Sequence, residues 1–283
     1  MTTRELTTVH TGVDFGEGPR WHAGKLWFSD FYRHGVFTLD PDGTETLVVT
    51  VDQQPSGLGW MPDGTLLISS MLDQKVLALG LDGELRVHAD LSAIAVGKGN
   101  DMVVAADGTA YVGNFGFDLD GGGEFAMAKL ARVSPDGQVH EAAADLLFPN
   151  GSVITADGAT LIVGETFGGQ YTAWDIGADM TLSNRRIWAK VEGCMPDGCC
   201  LDSEGAIWMS DVVNSRFCRV HEGGEISEEI HVDGAAVACM LGGEDGTTLF
   251  LFVSPGTEPD QVAGQGKSVI MATQVVAGAA GRP

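Results

Sequence analysis

Three features of the 283-residue sequence predict an all-β fold, a six-bladed β-propeller with four antiparallel strands per blade around a central channel. A unit made of an apolar stretch, a tight turn centred on glycine and a β-forming strand recurs six times. Its turn glycines at positions 24, 64, 108, 158, 205 and 246 stand roughly 40 to 50 residues apart, the range of propeller blades. Sustained helical periodicity is almost absent, so helices should be rare.

Each unit announces itself in the same way. The turn at Gly24 leads into Leu26 to Asp30, and Asp63-Gly64 leads into Leu66 to Ser70. Asp107-Gly108 precedes Ala110 to Asn114, and Asp157-Gly158 precedes Thr160 to Glu165. Glu204-Gly205 precedes Ala206 to Asp211, and Asp245-Gly246 precedes Thr248 to Val253. Asp-Gly is a hairpin signal because both residues tolerate the backbone conformations of tight turns. Further strands are expected at Gly35 to Leu39, Lys75 to Leu81, Ala128 to Val133, Tyr171 to Ile176 and Arg216 to Val220. Several end in second turns such as Asp42-Gly43, Asp82-Gly83 and Asp136-Gly137. About four strands per unit result, and near-equal repeats speak for a propeller over a β-sandwich. The ring should close by pairing Arg4 to Thr11 with Ser268 to Val276, making residues 1–283 a single propeller domain.

Composition excludes several classes of function. The net charge is −23, from 39 acidic and 16 basic residues. Such a surface repels phosphate backbones and argues against nucleic-acid binding. The apolar stretches are strand-length, far short of the ~20 residues of a membrane helix. No apolar leader follows Met1. A soluble, cytoplasmic protein with no membrane partner, monomeric or a small homo-oligomer, is expected. The five cysteines form no CxxC pair and read as buried thiols in a reducing compartment. The seven histidines are scattered without metal-ligand spacing, and no Gly-x-Ser-x-Gly elbow is present. Gly121 to Gly123 reads as a loop, because no P-loop lysine follows it.

The repeats also bring distant residues into one register. Eight positions before the turn glycine stand Ser56, Asn100, Asn150, Asp197 and Ala238, and in the shorter first unit Glu17 stands seven before. Inner strands line the channel, so Glu17, Asn100, Asn150 and Asp197 should face one another across the axis. No Arg or Lys occupies the six positions, so the two carboxylates call for a cation. Oxygen-only donors favour a hard ion such as Ca²⁺ or Mg²⁺. The alternative is a ring of polar caps holding water.

At these residues the sequence resembles the regucalcin/gluconolactonase (senescence marker protein) family over nearly its whole length. Gly16-Glu17-Gly18-Pro19-Arg20-Trp21 is similar to the family's opening motif, whose Glu is a metal ligand. Pro149-Asn150-Gly151 is similar to the second, with Asn as ligand, and Pro196-Asp197-Gly198 to the third, with Asp as ligand. The resemblance implies one divalent ion, Ca²⁺ before Mg²⁺, Mn²⁺, Zn²⁺ or Fe²⁺, held by Glu17, Asn150 and Asp197. It also implies hydrolysis of a small lactone by metal-activated water, with Asp197 as general base. The substrate side departs from the family's pattern. Lys98-Gly99-Asn100-Asp101 stands where the sugar lactonases carry R-x-N-D, so Lys98 replaces an arginine and loses its bidentate fork. Asp118 stands where a substrate-binding Glu is usual. Lys98, Asn100 and Asp118 are the implied substrate contacts, and the insertion around Phe115 to Phe117 implies a differently shaped pocket mouth. Fold is a weak guide to reaction. A hydrolase of another ester or a phosphotriester, and a non-catalytic metal-binding regulatory propeller, therefore stand as alternatives.

Overall fold

The computed structural model describes residues 4–283, and six four-stranded antiparallel sheets account for nearly all of its regular structure. The innermost strands are Gly16–His22, Pro55–Trp60, Gly99–Val104, Pro149–Ile154, Pro196–Leu201 and Ala235–Gly242. Each lies against the inner strand of the next blade, and the last returns to the first, so the sheets form a closed six-bladed propeller. Helix is confined to a single 3-10 turn at Thr166–Gly168 and one turn of α-helix at Pro259–Val262.

Ring closure follows the expected pairing. Thr7–Val13 is the outermost strand of the sixth blade and runs antiparallel to Ser268–Gln274, with Thr7 opposite Ala272 and Val13 opposite Ser268. The blade thereby unites strands from near both ends of the sequence. The hairpins use the chemistry their sequences announce. Asp63 Oδ1 accepts the Thr65 amide at 2.9 Å while Gly64 takes φ +89°, a conformation side chains avoid.

Burial falls from the axis outward. The inner strand Gly99–Val104 is wholly buried, whereas the outer strand Leu182–Lys190 is largely exposed. Apolar side chains between neighbouring sheets form the core, and Trp208, Tyr111, Tyr171 and Phe28 are its largest fully buried members. Each such side chain contributes roughly 1.5–3 kcal/mol. All five cysteines are unpaired and buried. Burial pushes the Cys194 thiol up to about 11 and the Cys218 thiol to about 12. Among the described residues no helix is long and apolar enough to cross a membrane.

Two devices position the channel. The first is a register shift in every inner strand, between Glu17 and Arg20, Pro55 and Leu58, Gly99 and Met102, Pro149 and Ser152, Pro196 and Cys199, and Ala236 and Ala238. An extra residue of this kind bends the strand and re-aims a side chain. The second is a buried polar residue ending the second strand. Asp30 accepts the amides of Asp14 and Phe15, Glu165 that of Leu147, and Asp211 that of Met195. These unexposed carboxylates pin the loops that enter the inner strands.

At the far end of the channel, near the first hairpin turns, the chain's last residues cross the axis. Ala279 donates to the Gly246 carbonyl, Ala280 to that of Leu201, and Arg282 exchanges both backbone bonds with Ile154. This segment spans three blades, and nothing in the repeat pattern foretold it.

Candidate metal centre

Of the residues counted to one register position, Glu17, Ser56, Asn100, Asn150 and Asp197 each directly follow the residue that pairs with the end of the second strand, at the bulge near the entry end. The longer first hairpin of blade 6 carries Ala238 past its bulge to pair with Phe252 and leaves Ala236 in that place. Gly18 and Gly151 permit the close approach of neighbouring strands. A Cβ on Gly18 would stand 2.6 Å from the Ser56 carbonyl oxygen, and one on Gly151 would stand 2.4 Å from that of Asp197.

Asn150 and Asp197 meet directly: Asn150 Nδ2 donates to Asp197 Oδ1 at 2.6 Å. Thr166, just past the second strand of blade 4, orients this amide. Its hydroxyl donates to the Pro196 carbonyl at 2.7 Å, so it must accept from Asn150 Nδ2 at 3.2 Å. Both amide hydrogens are thus engaged, and the Asn150 carbonyl oxygen is left without a donor among the described residues. Asn100 is buried beside them and donates to the Pro149 carbonyl at 3.1 Å.

Glu17 and Asp197 share a strongly negative site. Burial, then the charges of Asp197 and Asp101, push the Glu17 carboxyl well above its ordinary range, against a bond from the Gly18 amide. Burial likewise pushes Asp197 up to about 7, with Asp101 adding to it and Asn150 opposing. Arg20 and Asp101 enlarge the picture drawn from six register positions. They form a buried ion pair at 2.7 Å, and Arg20 also donates to the carbonyls of Leu58, Pro19 and Met102. When ionised, the three carboxylates outnumber the one guanidinium by two negative charges.

That excess, with an amide carbonyl beside it, fits a hard divalent cation held by oxygen. Among the described residues no group of three His, Cys, Asp or Glu side chains could hold a metal by itself, so the set depends on the Asn150 amide. Sequence reasoning missed Thr166, which lies outside the inner strands and matches no motif. It quoted Arg20 and Asp101 inside motifs without assigning them a role.

The two outer substrate positions both have protein partners. The Lys98 ammonium is ion-paired with Asp120. Asp118 is exposed, and its carboxylate accepts the Gly121 amide at 3.0 Å, closing a turn. The physical reason is the insertion after Phe115, which supplies both with partners of its own.

Residues 15–254 match the model of the SMP-30/Gluconolactonase/LRE-like region. The chain is 25% identical over 270 residues to a pentonolactonase of Haloferax volcanii, covering 91% of this chain and 87% of that protein. A gluconolactonase structure from Xanthomonas campestris superposes with a TM-score of 0.78 at 24% identity, over 96% of this chain and 90% of that one. The calcium-binding protein regucalcin from Agrobacterium tumefaciens superposes with a TM-score of 0.82 at 18% identity, over 100% and 99%. At these identities the two structures speak for the fold.

Proposed function

We propose, from the premise that this chain belongs to the SMP-30/Gluconolactonase/LRE-like family, that it is a divalent-metal-dependent hydrolase opening a small lactone. The pentonolactonase relative supports lactone hydrolysis. The observation that carries the metal is the pair of mutually repelling carboxylates, buried Glu17 and half-buried Asp197, beside an Asn150 amide oriented by Thr166. In this reading Glu17, Asn150 and Asp197 hold the ion. Ca²⁺ suits the all-oxygen donors best, with Mg²⁺, Mn²⁺, Zn²⁺ and Fe²⁺ as alternatives.

When bound, the ion polarises the lactone carbonyl and lowers the pKa of a water. Asp197 accepts the proton of the attacking water and returns it to the ring oxygen as the acyl C–O bond breaks. Asn100 orients the lactone beside the axis. The Arg20–Asp101 pair braces the inner strands of blades 1 and 3, so that Glu17 keeps its position while charge moves. Lys98 and Asp118 enter through the loop they hold. The five unpaired cysteines suit a reducing, cytoplasmic compartment.

The test is chelation followed by reloading with each ion and a panel of lactones, carboxylic esters and a phosphotriester. Hydrolysis of at least one lactone should vanish on stripping and return with one ion. Full activity in stripped protein ends the metal reading, and a loaded protein that opens no lactone ends the lactonase reading.

A further inference from the structure

We infer that the mouth of the channel seats an apolar substituent of the substrate, so that the preferred lactone carries an aryl or alkyl group rather than several hydroxyls, with Phe125 and Phe167 setting that preference. This inference rests on the lactonase reading and narrows its substrate class.

Five phenylalanines meet at the entry end of blades 3 and 4. Phe115 and Phe148 lie 4.4 Å apart between ring centroids, Phe148 and Phe167 4.9 Å, and Phe117 and Phe125 5.4 Å. Phe167 stands 6.1 Å from both Phe117 and Phe125, joining the rings into one surface. Phe117 and Phe148 form its buried base at 8% and 7% exposure, whereas Phe125 and Phe167 stand open at 53% and 40%. Contiguous exposed apolar surface of this kind marks a binding region.

The cluster is continuous with the candidate metal centre. Phe167 follows Thr166, which orients Asn150, and its amide donates to the Leu147 carbonyl. Phe148 lies two residues before Asn150 and holds φ +64°, as Gln54 does at φ +61° at the matching place in blade 2, so the repeat itself fixes where this ring enters. Phe115 donates its amide to the Lys98 carbonyl, two residues before Asn100. Two of the five rings, Phe148 and Phe167, therefore lie within two residues of a group at the axis, and Phe115 is bonded to a residue two before a third. The segments that carry these rings thus also carry the groups at the axis.

The polar side of the mouth points the same way. Lys98 and Asp118, which could have gripped sugar hydroxyls, are joined instead to Asp120 and the Gly121 amide. A polyhydroxylated lactone would have to displace those partners, while an aryl or alkyl group needs none of them.

The experiment compares kcat/KM for γ-phenyl and γ-alkyl butyrolactones with that for a polyhydroxylated γ-lactone, in wild type, Phe125→Ala, Phe167→Ala and Phe167→Leu. The apolar-to-hydroxylated ratio should exceed about ten in wild type. It should fall roughly tenfold in each alanine variant, the scale of one lost aromatic contact, and recover in part in Phe167→Leu. Metal affinity measured by calorimetry should be unaltered. A wild-type preference for the hydroxylated lactone, or unchanged ratios in both alanine variants, overturns the inference while leaving the lactonase reading intact. If no lactone is opened, that reading fails, and binding of the γ-phenyl lactam decides the inference separately. Binding weakened by the alanine substitutions sustains it; binding no tighter than that of a hydroxylated lactam ends it. Sedimentation gives a further check, since a dimer that the alanine variants dissociate would make the rings a contact between copies of this chain.

Discussion

Blades 1, 4 and 5 and blades 2 and 6 share one backbone and differ in what stands on it. All five bulge their inner strand at the same register position, yet the first three present Glu17, Asn150 and Asp197 there and the other two Ser56 and Ala236. The Ser56 hydroxyl is buried without a partner, and Ala236 carries no polar side-chain atom to satisfy. The lesson is that the fold offers six equivalent places at the axis while side-chain chemistry elects a subset. Blade 3 is intermediate: Asn100 occupies the shared position, and Asp101 beside it pairs with Arg20.

The contrast breaks if the elected blades prove dispensable. Glu17→Gln, Asn150→Ala and Asp197→Ala should each weaken metal binding by more than ~100-fold or abolish hydrolysis. Titration calorimetry with undiminished affinity in all three would remove the site. Arg20→Met tests whether blade 3 contributes structure rather than chemistry. It leaves Asp101 buried and unpaired, which should cost about 3–5 kcal/mol of stability in denaturant unfolding. A variant as stable as wild type would show that the pair is not a brace.

A subtler comparison sets Thr166→Val against Thr166→Ser. Valine removes the acceptor that orients Asn150, and metal affinity should drop roughly 10–100-fold. Serine keeps the hydroxyl and should remain close to wild type; equal affinities for the two variants would refute the orienting role.

The pH dependence has a definite sign. Asp197 and Glu17 have folded-state pKa values raised above their unfolded values, so between the two the folded chain holds more protons. Their contribution to metal-free stability is therefore present at low pH and lost as pH rises, that of Asp197 as pH rises through about 7. The Tm of stripped protein should fall from pH 5 to 8, less so in Asp197→Asn, and added metal should restore it most at pH 8. Identical slopes in wild type and Asp197→Asn would refute the assignment. The smallest effect belongs to blades 2 and 6. Ser56→Ala and Ala238→Ser should leave metal affinity unaltered, and Ser56→Ala should change stability by no more than ~0.5 kcal/mol, because no hydrogen bond is lost.

Much of the architecture was legible in the linear pattern because its causes are local. Asp-Gly turns act over four residues, and strand alternation over six, so counting turn glycines recovers the blades and aligns Glu17, Asn150 and Asp197. The closure of the ring was readable in outline: Arg4 to Thr11 was expected against Ser268 to Val276, and the strands that pair are Thr7–Val13 and Ser268–Gln274. What escaped depends on contacts between segments with no shared motif. Thr166 matters because its hydroxyl reaches the Pro196 carbonyl thirty residues away. Arg20 finds Asp101 only across two blades. Lys98 and Asp118, sited by resemblance, are engaged by Asp120 and the Gly121 amide because an insertion folds back on itself. Periodicity determines which side chains share a register, and the tertiary structure decides which of them find a partner, because hydrogen bonds and buried charges respond to ångström distances that no spacing encodes.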